Sequence, residues 1–176
     1  MADLFEKMKT GTKKQQDAYR AIMELDILND LGRYTPVLCG TVPLGIDTCE
    51  SDLDIIMEIY NFKPFVEKLV TLYQNKKHFT IKRKEIGGKK AVKANFHYKG
   101  FEFELFGQGE PVHKQHAYLH MVIEYELLQK SPHLQEKVIT LKKQGYKTEH
   151  AFCKLLNIQG DPYKGLIRYG QEKGLL

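Results

Sequence analysis

Asp52-Leu53-Asp54 sets two carboxylates two residues apart in Asp52 to Ile59 (DLDIIMEI), a stretch that is otherwise largely apolar. On a β-strand, residues i and i+2 point to one face, so both aspartates face one way while Leu53 and Ile55 face the other. Neighbouring carboxylates repel, and burying them together is costly. A hard divalent cation takes carboxylate oxygens and offsets that cost. The pair is therefore a candidate metal site on a strand whose other face enters the core. Taken alone, it also reads as two aspartates that end a strand in solvent.

Gly40-Thr41 closes an earlier apolar run, Pro36-Val37-Leu38-Cys39-Gly40, with ten residues between Thr41 and Asp52. A glycine there lets backbone approach a phosphate closely, and the Thr41 hydroxyl and nearby amides can donate to phosphate oxygens. Transfer of phosphoryl or nucleotidyl groups asks a protein mainly to position groups and neutralise charge, with metals bridging phosphate oxygens. Strand, Gly-Thr, loop and Asp-x-Asp together supply both halves of that task. A third acidic segment follows at Phe101 to Phe106. There Phe101, Phe103 and Leu105 alternate with Glu102, Glu104 and Phe106, giving one apolar face and one face with two carboxylates.

The run Leu38-Cys39-Gly40-Thr41, the loop, and Ser51-Asp52-Leu53-Asp54-Ile55 resemble the signature of the DNA polymerase beta-type nucleotidyltransferase superfamily. In that signature an apolar strand ends on Gly-Gly or Gly-Ser, and a loop of similar length leads to Asp-x-Asp or Asp-x-Glu. Antibiotic adenylyltransferases, tRNA-tailing enzymes and small minimal nucleotidyltransferases belong to it. The resemblance implies Mg²⁺ (or Mn²⁺) on Asp52 and Asp54, with a nucleoside triphosphate as substrate at Gly40, Thr41 and Ser51. It also implies a third carboxylate from a later strand, which falls on Glu104, with Glu102 sharing its face. This chain has Thr41 where serine is usual, and Glu104 where aspartate is usual, one methylene longer. A narrower resemblance is to the GrpB-like proteins, an uncharacterised bacterial group that continues past the third carboxylate into a helical tail. Here Gln115 to Glu124 and Lys137 to Tyr146 look like that tail.

Gln108, Gln115, His116 and His120 follow the third strand and are candidates for the wall of the site. His116, His120 and Glu124 fall at i, i+4 and i+8, one polar stripe of a helix. The stripe reads either as nucleotide or acceptor contacts or as an exposed helix face. A histidine pair at this spacing also suits zinc, but no HExxH pattern is present. Glu58 shares the face of Asp52 and Asp54 and is expected at the sheet rim, beyond the metal. Lys89, Lys90 and Lys93 contact a triphosphate if their hairpin folds over the site, and otherwise form a solvated hairpin.

Helical spacing of Ala18, Ile22, Leu25 and Leu28 predicts one helix from Lys13 to Leu31, with Gly32 as its C-cap. Phe62 to Gln74 reads as a second helix. Strands are predicted at Phe79 to Ile86, Ala91 to Tyr98 and Phe101 to Phe106, with turns at Gly87-Gly88 and Lys99-Gly100. Helices follow at Ala117 to Gln129, Pro132 to Gln144 and Thr148 to Leu156, and a last one begins at Asp161-Pro162. Strands early and helices late argue for an α+β fold, a nucleotidyltransferase-like mixed sheet with flanking helices and a C-terminal helical extension. Residues 1–110 would be the core, and 111–176 an extension packed on it as one structural unit.

With 176 residues, 42% hydrophobic and 28% charged, the chain resembles an ordinary globular protein. Its net charge of +5 favours phosphate-bearing ligands or reflects a lysine-rich surface. Three cysteines at unrelated spacings support neither a disulfide framework nor a zinc site. Neither a signal peptide nor a membrane span is apparent, so a cytoplasmic protein without a membrane partner is expected. Nucleic acid is a possible partner, but no RNA- or DNA-recognition motif supports it. The expected function is metal-dependent transfer of a nucleoside monophosphate from a triphosphate to an unknown acceptor. The alternative is an inactive nucleotide- or partner-binding module of the same fold.

Overall fold

The computed structural model describes residues 2–86 and 88–176. Gly87, half of the expected Gly87-Gly88 turn, lies outside the described residues. Helix α1 (Ala2–Lys7) leads through a 3₁₀ turn to α2 (Lys13–Glu24). Thr12 starts α2 with a capping box: its hydroxyl accepts from the Gln15 backbone N–H, and the Gln15 side chain accepts from the Thr12 N–H.

The expected single helix to Leu31 is two. Helix α2 stops at Glu24, Asp26 takes a left-handed conformation (φ 51°), and a short α3 (Ile27–Asp30) follows. Aspartate tolerates that conformation better than most residues, so the break falls there. Gly32 opens a 3₁₀ turn instead of capping a helix. The apolar pattern hid the break because Ile22, Ile27 and Leu31 enter the same core on both sides of it.

The sheet contains β1 (Val37–Cys39), β2 (Leu53–Glu58), β3 (Lys77–Ile86), β4 (Lys89–Tyr98) and β5 (Phe101–Gln108), with α4 (Phe62–Tyr73) between β2 and β3. Its order is β1-β2-β5-β4-β3. Strands β2 and β5 run parallel, and the other pairs are antiparallel. The period-2 patterns divide the sheet into two faces. Leu38, Leu53, Ile55, Met57, Ala94, Phe96, Phe103 and Leu105 point to one face and pack on α2 and α4. Tyr73, Phe96 and Phe103 stack there, with ring centroids 4.7 and 5.0 Å apart. The other face aligns Cys39, Asp54, Glu104 and Asn95 across four strands.

Four helices follow: α5 (His116–Lys130), α6 (Leu134–Lys143), α7 (Thr148–Leu155) and α8 (Pro162–Glu172). Asp161 caps α8 by accepting from the Lys164 N–H at 2.8 Å, with Pro162 in the first turn as expected. Ile123, Leu127, Val138, Phe152 and Leu166 form a second core, and Ile46 from the loop before β2 joins it. A Cβ on Gly170 would sit 2.5 Å from Ile123 Cγ1, so glycine lets α8 close on α5. Met121 of α5 packs on Cys39 and Ile56 of the sheet's second face. The helices are thereby held over the strand face that carries the acidic residues. Among the described residues, no helix is long and apolar enough to cross a membrane.

Candidate active site

Gly40 ends β1 with φ +80°, a conformation that side chains disfavour. A Cβ at this position would lie 2.4 Å from Asp54 Oδ2. The glycine therefore makes the turn and leaves the space that the Asp54 carboxylate fills. The loop beyond is tied at both ends through Ser51. Its hydroxyl accepts from Thr41 Oγ1 at 3.1 Å and from the Thr48 N–H at 2.9 Å. Ile46 N–H donates to the Thr41 carbonyl at 3.2 Å, and the Ile46 side chain anchors the loop in the helical core. We expect Gly40→Ala to cost about 1–3 kcal/mol through backbone strain alone, and to displace Asp54 as well. Thermal melts with and without Mg²⁺ check this; an alanine variant with unchanged Mg²⁺ affinity contradicts the close-contact account.

Parallel pairing of β2 with β5 sets Asp54 directly beside Glu104. Asp52, Asp54 and Glu104 each offer an oxygen within 4.8 Å of the others. On an ion with bonds near 2.1 Å, opposed oxygens lie about 4.2 Å apart, so the three fit one divalent cation after small adjustments. The extra methylene of Glu104 does not remove it from the cluster. Lys93, from the neighbouring β4, ion-pairs with Glu104 and sets a cation beside the cluster. Burial pushes the Asp54 carboxyl up to about 7, with the charges of Asp52 and Glu104 adding to it and Lys93 opposing. Burial also raises Asp52, helped by Glu104 and Glu102, against its own backbone N–H and Lys93. Such a group of acids is short of positive charge, which is the electrostatic condition for binding a hard cation.

The acids open into a cavity of about 840 Å³ between the second sheet face and the helices. Gly40, Thr41 and Ser51 line it on one side, and Phe106, Gln108 and Lys89 on another. All three residues of the polar stripe of α5 line this cavity, two of them buried. His120 is 5% exposed and Glu124 is 4% exposed, and both line it together with the more exposed His116. For these two residues the exposed-helix alternative is thus set aside, because α7 and α8 cover that face. His120 Nε2–H donates to the Tyr163 carbonyl at 2.9 Å. Gln115 is 2% exposed, and its amide donates to the carbonyls of Met57 (3.0 Å) and Glu110 (2.9 Å). It thereby fixes the start of α5 against the sheet.

The outer residues divide. Glu102 is exposed and accepts from the Asn95 amide at 3.0 Å. Glu58 stays outside the cavity lining, as expected for the sheet rim. Lys89 pairs with Glu110 at the cavity edge and Lys93 with Glu104, while Lys90 is exposed. The hairpin is therefore neither fully solvated nor folded across the site. Missing from the sequence reading are Lys142, Tyr146, Lys147, Glu149 and Tyr163, which close the far wall. Helical periodicity predicts that their helices exist but not that the α6–α7 turn returns to the sheet. Lys142 is held below its usual range by burial, against the attraction of Glu124, Asp47 and Asp52. Lys142 and Lys147 line the same cavity as Thr41.

This mixed sheet, flanked by helices and bearing acids beneath a Gly-Thr turn, defines a nucleotidyltransferase-like fold of the DNA polymerase beta type. Solved structures agree. A GLD-2/RNP-8 complex matches with a TM-score of 0.53 and 12% identity, over 86% of this chain and 60% of that one. The Cid1 poly(U) polymerase bound to MgATP gives 0.55 and 14%, over 94% and 53%, and its MgGTP-bound form 0.52 and 15%, over 80% and 46%. The chain thus spans about half the length of these relatives. No curated protein matches by sequence. The chain belongs to the family described as a domain of unknown function, DUF4269, which matches residues 20–169. That match lends no support to the narrower GrpB-like resemblance.

Proposed function

We propose that this protein is a metal-dependent nucleotidyltransferase that moves a nucleoside monophosphate from a nucleoside triphosphate to an acceptor hydroxyl. The observation that carries the reading is the convergence of Asp52, Asp54 and Glu104 on one point beside the Gly40 turn. These three residues would hold Mg²⁺ or Mn²⁺, which when bound neutralises phosphate charge. The backbone at Gly40 and Thr41 approaches the triphosphate, and Ser51 keeps that loop in place through Thr41 and Thr48. Lys142 and Lys147 meet phosphate oxygens from the helical side. The acceptor oxygen bonds to the α-phosphorus while the bond to pyrophosphate breaks, and the hydroxyl proton leaves to a carboxylate. Glu104 serves as metal ligand or as that base, with Lys93 holding its carboxylate in either role.

Two of the solved neighbours are described with MgATP or MgGTP bound, which agrees in kind with a triphosphate substrate. The second reading is a nucleotide-binding module without turnover. The two readings separate in one series: calorimetry with ATP and GTP, with and without Mg²⁺, then a pyrophosphate assay with candidate acceptors. Mg²⁺-dependent binding with pyrophosphate release is expected. Binding with no release across a broad acceptor panel selects the module, and no binding at all sinks both.

A further inference from the structure

The loop from Thr41 to Ser51 contains no strand or helix, yet several of its carbonyls are met by side chains of two helices. Gln15 of α2 donates from Nε2 to the Val42 carbonyl at 2.9 Å and reaches the Pro43 carbonyl at 3.4 Å. Gln135 of α6 donates from Nε2 to the Gly45 carbonyl at 2.9 Å. Lys14 donates to the Thr48 carbonyl, with Asp47 Oδ2 3.6 Å away. The two glutamines converge on one turn, closed by the Gly45 N–H on the Val42 carbonyl at 3.1 Å. Gly45 has φ +69°, and a Cβ there would lie 3.2 Å from Gln135 Nε2 and 3.8 Å from Gln15 Nε2. Helix α2 packs in the first core and α6 in the second, so both helical bodies grip the segment that directly follows Gly40-Thr41.

We propose that Gln15 and Gln135 are positioning residues, which together latch the Val42–Gly45 turn and so fix the Gly40-Thr41 backbone where a triphosphate meets it. Gln15, Gln135, Val42 and Gly45 all lie outside the cavity lining, so the two amides act from behind the loop and not on a ligand. The side chain at position 15 does two tasks at once. Its oxygen completes the capping box by accepting from the Thr12 N–H, which glutamate does as well and which the helix dipole favours. Only an amide also carries N–H donors for the loop carbonyl. Gln135 is the second residue of α6, where the dipole again favours an acid, yet its contact needs a donor. Helix formation alone does not call for glutamine at either position; the loop does. The role rests on the transfer reading for its purpose, whereas the latch itself is measurable without nucleotide.

Two variants of the full chain test this. Gln15→Glu keeps the capping box and loses only the loop donor. Gln135→Met, at an exposed position, keeps length and helix propensity, changes no charge and loses its donor. Hydrogen exchange without ligand is expected to quicken about three- to tenfold at the Gly45 and Ile46 amides in both, the scale of one hydrogen bond, with β2 and β5 amides unchanged. Calorimetry is expected to show MgATP weakened about three- to tenfold in both, with affinity for Mg²⁺ alone unchanged because the three acids are untouched. A loss shared by the neutral variant is not Coulombic repulsion. Unchanged exchange in either variant overturns the latch. Quickened exchange with unchanged MgATP affinity overturns the positioning role, and so does an equal loss of affinity for Mg²⁺ alone. A wild-type chain that binds no MgATP sinks the transfer reading and with it the role, and the exchange rates then decide the latch on their own.

Discussion

Asp54→Asn is expected to lower Mg²⁺-dependent pyrophosphate release by about 10²–10³-fold or more, the scale on which removing a group that meets developing charge acts. The substitution keeps shape and volume and removes one charge. Asp54 is the central acid of the three, beside Glu104 in the sheet register and beneath Gly40. With asparagine there, the remaining carboxylates come from Asp52 at the start of β2 and Glu104 on β5. Asp52→Asn is expected to act in the same direction.

The same substitution is expected to stabilise the metal-free protein. The Asp54 carboxylate is opposed by burial and by the charges of Asp52 and Glu104. A neutral amide escapes both costs. Higher stability together with lost turnover is the pattern of a residue kept for chemistry at the expense of the fold. Melts at pH 8 without metal, paired with pyrophosphate assays, measure the two effects. An asparagine variant that loses stability without metal, or keeps full turnover, removes the mechanism.

The acids were legible in the sequence because their geometry is local. Strand periodicity alone assigns Asp52 and Asp54 to one face, and the alternation Phe101, Phe103, Leu105 assigns Glu104 to its own. That these two strands run side by side and parallel is a matter of topology, since the whole β3–β4 hairpin lies between them in the chain. The resemblance to nucleotidyltransferases supplied that step; spacing did not. The break at Asp26 went unseen because hydrophobic period reports burial and not backbone conformation. The far wall of the cavity went unseen for a related reason. Lys142 and Glu149 look like any polar positions on amphipathic helices until the α6–α7 turn brings them to the cavity.

This explains why the helical extension is not an appendage to the site. Ile46 fastens the loop between Thr41 and Ser51 to the core of the extension, and Met121 fastens α5 to the acidic face of the sheet. The turn expected to meet phosphate and the wall that bears Lys142 are thus positioned by one packed body of helices. A change in how α5 packs would alter both.

The last prediction concerns pH. The Asp54 carboxyl titrates near 7 in the folded chain, against 3.8 as its ordinary value. Between these values the folded state keeps a proton that the unfolded state has lost, so the slope of unfolding free energy with pH is negative. Metal-free stability is therefore highest at the acid end of this window and falls as pH rises through about 7, by at most about 1.4 kcal/mol per pH unit for each such proton. Asp52 and Glu124 are raised in the same direction and add to the fall. Magnesium needs the ionised acids and competes with that proton. Its stabilising effect at fixed concentration is expected to be small at pH 6 and large at pH 8. Asp54→Asn removes its share of the metal-free fall and most of the Mg²⁺ effect, whereas Glu124→Gln removes only its share of the fall. Melting midpoints from pH 5 to 8, with and without Mg²⁺, test the sign. Mg²⁺ stabilisation that shrinks as pH rises would mean that these carboxyls do not gain a metal when they lose their protons.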